Sequence, residues 1–180
     1  MSQATPESRL AGAEDVGRNI VVVAHNIRST HNVGSILRTC DGFGVNKVYF
    51  TGYTPYPKSD NDDRLPYLAE KINSQIHKTA LGAEKSVKWQ KAEISEIIKV
   101  LRDTGFAILG LEQQPESIPL NEYDSPVKVA LILGEEVDGI PENITNLCDE
   151  FVEITMVGSK ESFNVSVATG IALYQLRFGK

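Results

Sequence analysis

Residues 19–24 form a short apolar run rich in valine, the pattern of a strand buried on both faces. Residues 32–43 then change period: Val33, Ile36, Leu37 and Cys40 fall on one helical face, and Gly42 and Gly44 end the helix. Asn32 could cap it, and so could Ser29 or Thr30. Residues 47–51 read as a second strand. Residues 52–66, rich in Pro, Asp, Asn and Tyr, read as a long loop of the kind that carries function in compact domains. Helical signal returns over 67–78 and again over 93–104, where Ile94, Ile97, Ile98 and Leu101 share one face. Strands are predicted at 106–111, 127–133 and 151–154. A short helix is predicted at 141–148 with Pro141 in its first turn, and a final helix at 164–178 turns Val165, Ala168, Ile171 and Ala172 inward. Strands alternating with helices predict an α/β fold with a mostly parallel sheet. Residues 1–18 lack periodicity and read as a flexible tail before a single domain, 19–180. Neither repeats nor low-complexity segments are visible.

Composition narrows the class. Of 180 residues, 41% are hydrophobic and 23% charged, a globular balance that allows a core without disulfide or metal support. The net charge of −6 speaks against a protein that coats nucleic acid through bulk positive charge. That total averages two regions. Residues 1–102 hold 14 basic and 11 acidic side chains, and residues 103–180 hold 4 basic and 13 acidic ones. Within the first region, 64–91 is locally basic, which in isolation describes a solvated helical face. Cys40 and Cys148 form no C-x-x-C pair, and His25, His31 and His77 lack ligand spacing, so no metal is expected. No apolar N-terminal segment or membrane-length apolar run is present, and a cytoplasmic protein with reduced thiols is expected.

Three segments following predicted strands carry more chemistry than a turn requires. The first, residues 32–39, places Asn32 and Arg38 less than two helical turns apart, with Gly34 open to close approach by backbone or ligand. In the second, residues 131–141, an apolar strand runs into Gly134, Glu135, Glu136 and a second glycine, Gly139. In the third, residues 154–166, a long loop leads into Ser162-Phe163-Asn164 at a helix start, where Ser162 or Asn164 could be a plain cap. Taken singly, each also fits an ordinary cap or turn. No G-x-G-x-x-G follows the first strand and no P-loop is present, which disfavours dinucleotide and NTPase sites. Trp89 reads as a core anchor rather than a base-stacking residue.

In this order and spacing, the three segments resemble the signature motifs of the SpoU/TrmH family, S-adenosylmethionine-dependent RNA 2′-O-ribose methyltransferases of the SPOUT superfamily. The resemblance spans roughly residues 19–178. It implies a parallel-sheet α/β SPOUT fold whose C-terminal segment threads a trefoil knot, which periodicity cannot reveal because chains are ordinarily unknotted. It implies a donor pocket lined by Leu109, Gly110, Leu111, Gly134, Glu135, Ile154, Met156, Ser162 and Phe163. It implies a homodimer with active sites near the interface, to which the first-motif helix and the final helix contribute.

For catalysis the resemblance carries over Arg38, Asn32, Glu136, Ser162 and Asn164. Arg38 acts on the ribose hydroxyl, either as a base, which demands strong perturbation of an arginine, or electrostatically by holding a phosphate and the developing alkoxide. Asn32 positions Arg38 or the ribose, Glu136 orients Arg38 or Asn32, and Ser162 and Asn164 support the loop. The sulfonium donor is already activated, so no metal is implied. Many relatives carry an added RNA-binding domain, whereas the stretch before residue 19 is short and nearly neutral, so RNA capture is expected from the domain itself. The candidates are Arg28, Arg38, Lys58, Arg64, Lys78, Lys85, Lys88 and Lys91, with Tyr53 and Tyr56 available for stacking. Residues 79–86, Thr-Ala-Leu-Gly-Ala-Glu-Lys-Ser, resemble a stretch in some subgroups and carry no assigned role. The expected substrate is tRNA or rRNA. The alternatives are a non-catalytic RNA-binding protein that keeps the fold, and a SPOUT enzyme that methylates a base.

Overall fold

The computed structural model of the chain describes residues 17–135 and 138–179. Seven parallel strands form one sheet in the order β3-β2-β1-β6-β4-β7-β5. In chain order these are β1 (Asn19–His25), β2 (Lys47–Thr51), β3 (Trp89–Lys91), β4 (Ala107–Leu111), β5 (Ile118–Pro119), β6 (Lys128–Leu133) and β7 (Glu150–Glu153). The helices are α1 (Thr30–Gly42), α2 (Pro66–Ala80), α3 (Ala83–Ser86), α4 (Ile94–Asp103), α5 (Glu142–Thr145) and α6 (Val165–Phe178). β1 and β6 pair from Asn19–Lys128 to Ala24–Leu133 in the middle of the sheet, and residues 20–24 and 129–133 are apolar and buried because helices cover both faces.

The core falls into two clusters, one on each side of the sheet. Ile20, Val22 and Ala24 of β1 pack with Val33, Ile36 and Leu37 of α1 and Ala172, Leu173 and Leu176 of α6. Val21 and Val23 face the other way, toward Ile94, Ile97, Ile98 and Leu101 of α4 and Ile144 of α5. The alternation along β1 thus sorts its side chains between two helical layers. Arg18, at the end of the stretch whose sequence predicts a flexible tail, belongs instead to this framework. It is buried, and its guanidinium donates to the Leu176 and Gly179 carbonyls at 2.8 and 3.0 Å, closing the end of α6. The remainder of the predicted tail, residues 1–16, lies outside the described residues.

The last strand does not join an edge. β7 enters between β4 and β5, pairing Leu109 with Glu150 on one side and Ile118 with Val152 on the other. The connection from β4 to β5 therefore arches past the carboxyl end of β7. The chain leaving β7 runs close to that arch, where the Gln113 amide donates to the Glu161 carbonyl at 3.1 Å. Four elements were not predicted: α3, β3, β5 and a 3₁₀ turn over Leu120–Glu122. Each is four residues or fewer, too short for a periodic signal. The helix predicted over 141–148 contracts to α5, and Leu147 and Cys148 continue as turns bonded to Ile144 and Thr145.

Gly34 has a specific mechanical role. A Cβ there would lie 2.1 Å from Thr79 Oγ1, 2.3 Å from the Ile76 carbonyl oxygen and 2.9 Å from the Ala80 nitrogen. The glycine thus lets the backbones of α1 and α2 touch, and its neighbour is a helix rather than a ligand. Gly34→Ala is expected to destabilise the fold by about 1–3 kcal/mol, the usual cost of overpacking, because two of the three clashing atoms are backbone. A urea-denaturation midpoint equal to that of the unmodified chain would contradict this assignment.

Candidate active site

Loops at the carboxyl ends of β4, β6 and β7 surround a cavity of about 270 Å³. This is where parallel α/β sheets bind ligands. Leu111, Leu133, Ile154, Met156, Val165 and Ala168 supply aliphatic wall, and Phe163 adds an aromatic edge. Glu112, Glu135, Glu153 and Glu161 supply carboxylates, and no Lys or Arg lines the cavity among the described residues. An aliphatic pocket with carboxylates and no cation suits a ligand that carries positive charge, and it is ill suited to a phosphate.

Of the residues expected here, Leu111, Gly134, Glu135, Ile154, Met156, Ser162 and Phe163 do line the cavity. Leu109 and Gly110 do not. Leu109 is buried within β4, and Gly110 lies beneath the Phe151 ring, where a Cβ would come within 2.5 Å of ring carbons. Inside a strand, side chains alternate between faces, and only the strand's end reaches the ligand side. Glu112, Gln113, Glu153 and Glu161 were missed. Glu112 and Glu153 end or directly follow strands, so the carboxyl-end rule could have found them.

The second-motif loop folds back on itself. Glu135 and Gly139 exchange backbone hydrogen bonds of 2.9 and 3.1 Å, and a Cβ on Gly134 would strike the Gly139 carbonyl at 2.5 Å. Gly139 has φ +69°, and Glu112 Oε2 accepts from the Ile140 N–H at 2.9 Å. The glycines therefore serve loop closure against Glu112. Glu136 lies outside the described residues.

The first and third motifs meet at two helix starts. Ser29 caps α1, its hydroxyl accepting from the Asn32 N–H at 3.3 Å, which places Asn32 in the first turn. Asn164 caps α6, accepting from the Ser166 N–H at 3.0 Å and the Ser166 hydroxyl at 2.7 Å. Its amide nitrogen donates to Asn32 Oδ1 at 3.2 Å, joining residues 132 positions apart. Asn164 is thus both a cap and a link to Asn32. Ser162 faces the cavity two residues before it.

Arg38 is exposed and lies outside this cavity. It lines a neighbouring hollow of about 850 Å³ with Phe43, Asn121, Thr155, Ile171 and Tyr174, and the two spaces share Glu153 and Ile154.

The basic candidates differ in what they already hold. Lys78, Lys85 and Lys88 are exposed. Lys58 pairs with Glu70 at 3.0 Å on the surface. Arg64 turns inward: it bonds Asp62, donates to the Tyr56 and Pro57 carbonyls at 3.0 and 3.1 Å, and stacks 3.7 Å over the Tyr56 ring. Its hydrogen bonds hold the Asp62 carboxyl well below the usual carboxylate range. Arg64 and Tyr56 therefore build the 52–66 loop and are not available to RNA as predicted. Lys91 is partly buried and donates to the Gly52 carbonyl, and burial lowers its pKa. Arg28 forms an ion pair with Glu135 at the cavity rim.

Residues 79–86, left without a role by the sequence, hold α1 in place. The Thr79 hydroxyl donates to the His31 carbonyl at 2.8 Å, next to Asn32. Leu81 ends α2 in the left-handed conformation, and Ser86 reaches Asp41 at 2.6 Å. The Glu84 side chain is buried, accepting from His77 Nδ1 at 2.7 Å and from the Gly82 N–H at 3.0 Å. Burial raises the Glu84 pKa, but these hydrogen bonds outweigh it and the net shift is downward. His25 is buried against Thr51 at 2.9 Å, and burial together with Lys91 lowers its pKa, which keeps it neutral at pH 7. Cys40 is buried with its thiol pKa raised, and burial pushes Cys148 up to about 12, so neither is poised to react. Among the described residues, no cluster of three His, Cys, Asp or Glu could hold a metal, and no helix is long and apolar enough to cross a membrane.

A parallel sheet with a cavity at the carboxyl ends of its strands, and two helix starts joined by a side-chain hydrogen bond, defines an α/β protein with a candidate ligand site. The chain belongs to the SpoU rRNA methylase family, whose model matches residues 19–174. It is 31% identical over 161 residues to a tRNA (guanosine(18)-2′-O)-methyltransferase of Aquifex aeolicus, covering 88% of this chain and 68% of that protein. It is also 31% identical to a 23S rRNA (guanosine-2′-O-)-methyltransferase of Xanthomonas axonopodis, covering 94% of this chain and 63% of that protein. The chain thus spans about two thirds of the length of these curated relatives. Among solved structures it resembles the A. aeolicus TrmH/SpoU tRNA modifying enzyme, with TM-score 0.74 and 28% identity over 90% of this chain and 75% of that one. It shares its fold with an AdoMet-bound rRNA methyltransferase from Sinorhizobium meliloti, with TM-score 0.75 and 21% identity over 98% of this chain and 61% of that one.

The Glu84 anchor has a pH signature. A carboxylate whose folded pKa is depressed contributes stability above its unfolded pKa and loses it as pH falls through the folded value. Glu84→Gln is therefore expected to lower the urea midpoint at pH 7 and to shrink the further loss seen between pH 5 and pH 3. An unchanged acid response in the variant would show that the His77–Glu84 contact contributes nothing.

Proposed function

We propose that this chain transfers a methyl group from S-adenosylmethionine to a ribose 2′-hydroxyl of tRNA or rRNA. The observation that carries the reading is the Asn164–Asn32 hydrogen bond beside a cavity of aliphatic walls and carboxylates. It joins the first motif to the third, and residues of the third line the pocket. Family membership supplies the reaction class, and the names of the curated relatives supply the substrate class.

S-adenosylmethionine supplies an activated methyl on a cationic sulfonium. The residues present fit such a donor. Leu133, Ile154 and Met156 offer an aliphatic bed, and the glutamates among the lining residues outnumber the one arginine, Arg28, that pairs with Glu135 at the rim. Asn164 holds Asn32 in the first turn of α1, from which it positions the ribose. Arg38 acts from the adjoining hollow, its guanidinium balancing the charge that develops on the 2′-oxygen and binding a neighbouring phosphate. The planar guanidinium, with its fork of N–H donors, suits this electrostatic role. The exposed Lys78, Lys85 and Lys88 supply the non-specific attraction for the RNA backbone.

Three further features belong to the same reading. The chain leaving β7 threads the arch between β4 and β5 as a trefoil knot, supported by the insertion of β7 between those strands. The protein acts as a homodimer, supported by the exposed stripe of Val167, Ile171, Tyr174 and Phe178 on α6, which borders the hollow that holds Arg38. A second copy on this face would close Arg38 in and exclude water from its site. The same reading puts the protein in the cytoplasm, together with its RNA substrate.

Arg38→Ala is expected to reduce methyl transfer at least about 100-fold while S-adenosylmethionine affinity stays within a few fold. Labelled-methyl incorporation into hypomodified total RNA, with calorimetry of the donor, reads both quantities. Retained transfer would remove Arg38 from the mechanism, and absence of donor binding by the unmodified chain would overturn the reaction class. Tyr174→Glu is expected to give monomers in sedimentation at micromolar concentration, where the unmodified chain is dimeric.

A further inference from the structure

Beside the donor cavity, the exits of β1 and β2 are locked together more firmly than two loops require. Asn26 takes a left-handed conformation, φ 57°, which is uncommon for a residue other than glycine. Its side-chain oxygen accepts from the Tyr53 N–H at 3.2 Å, and its own N–H bonds the Thr51 carbonyl at 3.3 Å. Gly52 is left-handed as well, φ 62°, and a Cβ there would lie 1.9 Å from Asn26 Oδ1. Thr54 is buried. Its hydroxyl donates to the Ala24 carbonyl at 2.9 Å and accepts from the Ile27 N–H at 3.0 Å. The residues on either side of Tyr53 are thus fixed to the neighbouring loop.

Tyr53 itself is left 52% exposed. Its hydroxyl meets Arg28 Nε at 3.4 Å, and the Arg28 guanidinium sits 5.9 Å from its ring centre. Arg28 in turn pairs with Glu135, which lines the cavity. An aromatic face held rigid and wet gains the fold little, since it buries little area. A rigid aromatic with a guanidinium beside it is a surface on which a splayed nucleobase stacks. Tyr56, the other tyrosine of this loop, cannot serve, because Arg64 already covers its ring.

We propose that Tyr53, flanked by Arg28, is the platform that receives the unpaired base of the nucleotide whose ribose enters the site. The substrate is then an RNA loop or single-stranded segment rather than a continuous duplex. This deepens the methyltransferase reading and rests on it. The pinned backbone makes the platform pre-formed, so the base pays little ordering entropy on arrival. Stacking is indifferent to the identity of the base, so Tyr53 selects for an unstacked nucleotide and leaves sequence choice to other contacts.

The test uses the full chain saturated with S-adenosylhomocysteine and two labelled probes of about nine nucleotides, a length typical of single-strand sites. One is an oligoadenylate and the other a ribose-phosphate chain of equal length without bases. Fluorescence anisotropy is expected to show the oligoadenylate binding about tenfold more tightly than the abasic chain. Tyr53→Ala and Tyr53→Leu should both abolish that preference, and Tyr53→Phe should retain it, since the ring and not the hydroxyl does the stacking. Arg28→Ala should flatten the salt dependence for both probes alike. A wild-type chain without base preference would overturn the platform, as would a preference that survives Tyr53→Ala or is lost equally in Tyr53→Phe. Calorimetry of S-adenosylhomocysteine separates the two levels of the argument. A wild type that fails to bind it refutes the methyltransferase reading, whereas intact binding with no base preference refutes the platform alone.

Discussion

β7 reaches the sheet last and takes an interior place, between β4 and β5, already paired on both sides by residues far earlier in the chain. Most of what matters in the molecule depends on that insertion. With β7 there, the segment after it must leave at the carboxyl edge, beside the loops from β4 and β6, and these three segments become the walls of one cavity. The same path delivers α6 to the face of the sheet where α1 already lies, so that Asn164 can reach Asn32. An edge position for β7 would leave the carboxylates of Glu112 and Glu153 without a common space to face.

The carboxyl edge is served by a second level of support. Gly34 allows α1 to lie directly on the backbone of α2, and Thr79 bonds the carbonyl of His31 just before Asn32. The buried Glu84 fixes the corner that follows α2. Residues 76–86 thus act on the site without touching it, by setting where the first turn of α1 stands. On the opposite flank, Arg18 and Arg177 tie the two ends of the domain together: Arg177 donates to the Arg18, Phe43 and Gly44 carbonyls. Both ends of α6 are therefore held, its start by the Asn164 cap and its end by two buried guanidinium groups.

The uneven charge distribution acquires a spatial meaning. The acidic second half of the chain contributes the glutamates of the cavity, where a cation is at home. The basic stretch 64–91 divides. Arg64 is consumed by its own loop and Lys91 by the Gly52 carbonyl, while Lys78, Lys85 and Lys88 remain on the surface. Net charge alone could not separate a lysine that meets solvent from an arginine that staples a loop.

The sequence by itself determined the layer architecture. Period-two and period-3.6 patterns are local, and the long elements β1, α1, α2, α4, β6 and α6 each repeat their pattern often enough to be read. It also singled out three segments, and the structure brings two of them to the walls of one cavity and links Asn164 of the third to Asn32 of the first. Tertiary structure decided the rest. Elements of two to four residues such as β3 and β5 exist only through their partners, and no window over the chain contains those partners. Leu109 and Gly110 fell away from the pocket because their neighbours across the sheet, not their own sequence, set which part of β4 meets the ligand side. Arg64 and Tyr56 turned inward for the same reason, and Tyr53 stayed out because Asn26, 27 residues earlier, holds its backbone. Local pattern fixes what a segment can become, whereas contacts between distant segments fix which of its side chains remain to do chemistry.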